Sequence, residues 1–349
     1  GSGPLNLSGG STSLNATGIS GSSLSLGAVS GVASSQILLG TKSVTVDTTG
    51  SGVFSGSLTT SGSFTKSGSG SQALLGTNSY SGQTYINAGT LIINSDGSLG
   101  STSQINLGGA TLATAADSTI TLNAPVVLTL ANVFDVEGID LTLNQVLSGT
   151  GSFTKTGPGS LTLTQANTYS GGTTVSQGVV VLSGAGSLGT GPLVLAGGSM
   201  SSDSGIISGN LTLDTTTPFN VQSGQVLILS GVVSGAGGID KTGSGTLSLT
   251  GANTYSGGTT IAGGTLLLAD GGTAGLGSIT LSDTTLAVQV SLGNTQTLTN
   301  TVLGSGTVNL FGGGTLSLTG ANSYLGTTSV TGSILSLDNA SAIGSSSLS

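Results

Sequence analysis

One phrase occurs four times in this chain, and repeats of this kind point to stacked units rather than one globular core. The second copy reads Lys155-x-Gly157-x-Gly159-x-Leu161-x-Leu163-x-x-x-Asn167-x-Tyr169-x-Gly171-x-Thr173. The third repeats it without a gap at Lys241, Gly243, Gly245, Leu247, Leu249, Asn253, Tyr255, Gly257 and Thr259. The first keeps Lys66, Asn78, Tyr80 and Thr84 but has Gln72 where a leucine is expected. The fourth keeps Asn322, Tyr324 and Thr328 but has Leu310 in the lysine slot. A second phrase follows each copy, as in Gly89-Thr90-Leu91 and then Leu99-Gly100, so the repeats occupy 61–100, 149–189, 235–277 and 304–344.

The four aligned tyrosines are 89, 86 and 69 residues apart. Dividing by four, four and three predicts roughly 22 residues per coil of a β-solenoid, with each gap holding a whole number of coils. Within the repeats, apolar residues come in pairs two apart, such as Leu161/Leu163, Val179/Val181 and Leu247/Leu249, bounded by Gly and Ser. That is the period of a strand. The chain reads as all-β, a single continuous solenoid over 1–349.

Composition narrows the functions open to such a fold. The net charge is −8, with four lysines and no arginine, and 5% of residues are charged. Nucleic-acid binding needs a basic stripe to displace counterions, and none exists here. Without His, Cys, Arg or Trp, the chain cannot build a Ser–His–Asp triad, an imidazole or thiolate metal centre, or an arginine clamp. No stretch reaches the roughly 20 apolar residues of a membrane helix. The sequence implies no cofactor and no enzyme.

The phrase at 155–174 and 241–260 resembles the passenger-associated transport repeat, also called the autotransporter-associated β-strand repeat. The resemblance implies a right-handed parallel β-helix with three strands per coil, displayed on the outer surface of a Gram-negative-type bacterium. It also implies that the repeat assists folding or export rather than catalysis.

The repeated residues have structural readings. Lys66, Lys155 and Lys241 are expected to blunt edge pairing and keep their strands soluble. Asn78, Asn167, Asn253 and Asn322 are expected in turns, with their amides satisfying backbone groups. Tyr80, Tyr169, Tyr255 and Tyr324 are expected to pack over a corner. The one acidic cluster, Asp135, Glu137 and Asp140, is the weak candidate for a calcium or paired-carboxylate site. Its plainer reading is a solvated outer face beside an inward Val133/Val136 side.

The function expected from all this is a surface-displayed or secreted stalk or fibre that supports adhesion to a host or neighbouring cell. The repeat phase near Gly1–Leu7 matches that near Ile343–Leu348, so end-to-end stacking into a filament is the first alternative. A carbohydrate-binding β-helix using Asp135, Glu137 and Asp140 is the second.

Overall fold

A computed structural model of the chain describes residues 3–9, 11–184, 187–202, 205–339, 341–345 and 347–349. Two compact units divide it: residues 1–173 with 177–179 and 188–191, and residues 174–176, 180–187 and 192–349. Each is a parallel β-solenoid, and among the described residues the one helical segment is a single 3-10 turn, Asp96–Leu99.

Short strands with alternating burial make up the first unit, because period-2 sequences turn every second side chain inward. One ladder stacks Ser51–Phe54, Ser71–Leu74, Thr90–Ile93, Thr111–Thr114, Ala131–Val136 and Ser152–Thr156, all parallel. A second stacks Ser43–Asp47, Phe64–Ser67, Thr84–Ile86, Ile105–Leu107, Val126–Leu128 and Leu147–Gly149. A third joins Thr119–Leu122, Asp140–Leu143 and Ser160–Leu163. The interior is a continuous column of Leu, Ile, Val and Phe, including Phe64, Leu91, Leu112, Phe134 and Phe153.

The registers correct the expectation that whole coils separate the copies. Gln72 pairs with Leu91, Leu91 with Leu112, Leu112 with Phe134, and Phe134 with Lys155. Lys155 thus stands four coils on from Gln72. The column of Lys66 runs instead through Ile86, Leu107 and Leu128 to Gly149. Coils in these two ladders advance by 19–22 residues, so 89 residues span four coils and one further face. The same rotation occurs in the second unit. There Leu249, Leu268, Val288 and Leu310 share a column, which places the fourth copy's lysine slot over the third copy's second strand.

The departure at Gln72 has a local cause. Its register partner on the preceding coil is Gly52, which has no side chain to fill the interior. The buried Gln72 amide reaches past it, donating to Val29 O at 2.8 Å and accepting from Val29 N at 2.9 Å. A leucine there would leave both Val29 groups without these bonds.

In the strand Ala131–Val136 one residue departs from expectation: Val133 faces outward, while Asp135, Val136 and Glu137 lie as expected. Asn132, Phe134 and Val136 are buried, while Val133 and Asp135 face outward and Glu137 is exposed. Val133 and Val136 are three apart and cannot share a face of one strand. Phe134→Ala should therefore cost about 3–5 kcal/mol, and Val133→Thr should stay within about 0.5 kcal/mol. Urea unfolding of the two variants checks this.

Candidate functional site

Each repeat places its polar signature inside the solenoid. Lys66, Lys155 and Lys241 are fully buried, so their expected place on a solvated strand edge is overturned. The lysine side chain points inward with the apolar residues of its strand, and a tight corner follows immediately. Gly68, Gly157 and Gly243 make that corner at φ 70–73°, a left-handed conformation that only glycine adopts freely. The turn aims carbonyls at the ammonium. Lys155 Nζ donates to Thr156 O at 2.6 Å, Gly157 O at 2.8 Å and, on the next coil, Gln177 O at 3.3 Å. Lys241 reaches Thr242 O, Gly243 O and Gly263 O at 2.7, 2.8 and 3.0 Å. Lys66 does the same with Ser67, Gly68 and Ala88. All three ammonium donors are used. The next coil must leave room for them: a Cβ on Gly178 would lie 2.8 Å from Lys155 Nζ.

Burial opposes the charge. It pushes Lys155 down to about 8, against the upward pull of Asp135 and Glu137, and Lys241 down to about 8. Lys66 is lowered by the same desolvation, opposed by Asp47. The remaining cation, Lys42, is buried too and donates to Thr17 O at 3.2 Å. No described Asp or Glu is buried. The cations therefore lie inside and the carboxylates outside.

Asparagine replaces the ladder where a strand is interrupted. Residues around Asn78 and Tyr80 form no strand, so their neighbours lack regular ladder partners. Asn78 Oδ1 accepts from Leu58 N at 2.8 Å on the preceding coil, and Nδ2 donates to Ser98 O at 2.6 Å on the following one. Asn253 bridges Val233 N and Thr273 O at 2.7 and 2.6 Å. Asn322 bridges Val302 N and Ala342 O. Asn167 accepts from Leu147 N at 2.7 Å.

The four tyrosines are buried. Tyr80, Tyr169, Tyr255 and Tyr324 share hydrogen bonds of 2.5–2.8 Å with Thr84, Thr173, Thr259 and Thr328. Phe64 stacks on Tyr80 and Phe153 tilts against Tyr169, with centroids 5.8 and 5.5 Å apart. The threonines carry a role that the sequence reading did not assign, although Tyr-x-x-x-Thr recurs in every copy. Burial raises Tyr80 and Tyr255, and takes Tyr169 to about 12.

The acidic cluster does not converge. Asp135 and Glu137 lie at the end of one strand, Asp140 opens the next, and Asp135 Oδ1 accepts from Thr156 Oγ1 at 2.8 Å. No group of His, Cys, Asp or Glu able to hold a metal occurs among the described residues. No helix among them is long and apolar enough to cross a membrane.

The profile of the Passenger-associated-transport-repeat matches residues 64–93, 153–182, 239–268 and 311–337. Over 235 residues the chain is 35% identical to the Adhesin BmaC autotransporter of Brucella suis biovar 1 (strain 1330), a match covering 51% of this chain and 7% of that protein. No solved structure matches the chain. With four such repeats on a parallel β-solenoid and a match to an autotransporter adhesin, the chain is similar to an autotransporter passenger. Such a protein is secreted and displayed on the surface of a Gram-negative bacterium.

Two measurements probe the interior. Asn253→Ala strands a buried N–H and a buried C=O, and should cost about 2–4 kcal/mol by urea unfolding. Between about pH 8 and 10, Lys155 and Lys241 bind fewer protons folded than unfolded, where their value is 10.5. Stability should therefore rise with pH in that window. Above pH 10 the unfolded tyrosines ionise while the buried ones stay protonated, and stability should fall. A melting series across pH 7–11 should show this maximum, and Lys155→Met with Lys241→Met should flatten most of the rising limb.

Proposed function

We propose that this chain is a load-bearing scaffold of an adhesive surface protein, structural rather than catalytic, whose repeats pin the stacking of successive coils. The observation that carries the reading is the placement of the repeated residues. Lysine, asparagine and tyrosine all turn inward onto backbone or threonine partners, leaving none of the repeated signature exposed for chemistry. The described carboxylates are dispersed, and all are exposed or half-buried, with Asp240 Oδ1 alone among them enclosed without a hydrogen-bond partner. Coils contact only their neighbours, so the structure can form progressively as it emerges from a membrane, which suits export in an unfolded state. The similarity to an adhesin supports an adhesive whole.

A scaffold tolerates loss of a complete module but not of a fraction. Ile105 pairs with Val126 in register, so deleting residues 105–125 removes one coil and joins equivalent positions. That deletion should preserve surface display and adherence of the displaying bacteria. Deleting residues 105–114 should abolish display, because every later side chain then meets the wrong face. Lost adherence with intact display in the whole-coil deletion would assign the adhesive site to this stretch and refute the scaffold reading.

A further inference from the structure

Within the second unit the corner between two faces is flattened. Ile279–Gln289 and Val302–Phe311 run as single strands of 11 and 10 residues and pair along nearly their whole length. Their register slips between Ser282 and Thr284. Such a bulge re-aims the side chain at its apex. The apex is Asp283, an aspartate at φ 55°, in the left-handed region uncommon outside glycine. Its carboxylate is exposed and takes no hydrogen bond among the described residues.

A groove of about 420 Å³ opens beside it, lined by Asp283, Thr285, Ser305, Thr307, Thr327 and Leu325. That volume falls within the roughly 300–1,000 Å³ of small-ligand sites. Thr285 and Thr307 hydroxyls lie 3.1 Å apart, and Ser305 Oγ accepts from Asp283 N at 3.3 Å. The threonines continue a column through Thr265 and Thr246, presenting hydroxyls at the spacing of stacked strands, roughly 4.8 Å. Leu325 stands at the rim with 70% of its surface exposed. The equivalent residue is Ser81, Ser170 and Ser256 in the other three copies. The fourth copy has thus exchanged a hydroxyl for an exposed apolar platform at a groove edged by a bulged aspartate.

A solvated carboxylate, a row of hydroxyls and one apolar platform are the complement of a sugar ring. The carboxylate accepts from vicinal diols, the hydroxyls donate or accept, and the aliphatic face covers C–H groups. Phosphate and other anions are disfavoured, since all four cations are buried and the described surface charge is carboxylate. A calcium site would need six to eight oxygen ligands, and the groove supplies one carboxylate. We propose that this groove binds an uncharged saccharide, a mono- or disaccharide unit of a neutral glycan, through Asp283, the Ser305/Thr307 hydroxyls and Leu325. The proposal does not depend on the scaffold reading, because binding is measured on the purified chain.

Saturation-transfer NMR on the full chain, with the methyl glycosides of glucose, galactose and mannose, lactose and sialyllactose as probes, tests it. At least one neutral probe should receive saturation. Asp283→Asn and Leu325→Ser should each weaken that probe's binding by about tenfold, and Asp135→Asn in the first unit should leave it unchanged. Leu325→Ser installs the residue of the other three copies, so it should keep the fold, with unchanged far-ultraviolet circular dichroism and melting. No transfer to any neutral probe, transfer to sialyllactose alone, or binding that survives both groove substitutions would overturn the assignment.

Discussion

The structure depends on satisfying backbone polar groups where a parallel ladder is broken. A solenoid coil must turn corners, and each turn removes N–H and C=O groups from the regular strand pairing that would otherwise bond them. Side chains inside this protein make up the loss. An asparagine amide is both acceptor and donor, so Asn78, Asn253 and Asn322 each tie the coil before to the coil after. A lysine ammonium is a triple donor, suited to carbonyls that converge around a left-handed glycine and the next coil. Because each of these side chains needs partners on a neighbouring coil, the bonds form only when the stack is in register.

This arrangement sorts charge. Buried lysines would be costly in an ordinary core, and burial does lower their proton affinity. The three carbonyls make the position tenable: the corner supplies two of them and the next coil the third. The fourth copy shows the alternative: with Leu310 in the slot, the following Gly312 opens to φ 110°, away from the 70–73° of the lysine-bearing corners. Lysine and corner geometry thus change together. The consequence outside is a surface whose described charges are all acidic, which repels polyanions.

Rotation of the repeat has a geometric origin. The phrase spans two adjacent faces, and its recurrence distance exceeds a whole number of coils by one face. Asn78 therefore bonds Leu58, whereas Asn167 bonds Leu147 on the ladder of Thr84 and Ile105. Stiffening positions are distributed around the first unit instead of aligned along one side.

Period-2 apolar pairs and a repeated phrase were enough to point to a stacked β-solenoid, because alternation and repetition follow directly from the geometry of stacked strands. They were also enough to show that Asn and Tyr serve the fold, since both recur at a constant offset from a glycine-rich turn. Three things were not legible. The lysines read as solvent-facing because a charged residue is normally solvated, and only the folded corner brings three carbonyls within reach of Nζ. The phase of Val133 and Phe134 depended on which side of the strand the coil curves toward, a choice made by Leu112 and Lys155 on the neighbouring coils. The groove at Asp283 depended on a bulge between two strands 23 residues apart in register. The sequence by itself determined that coils stack, because that needs only local periodicity; the tertiary structure decided which polar groups end up inside and which face each copy occupies, because both depend on where one coil meets the next.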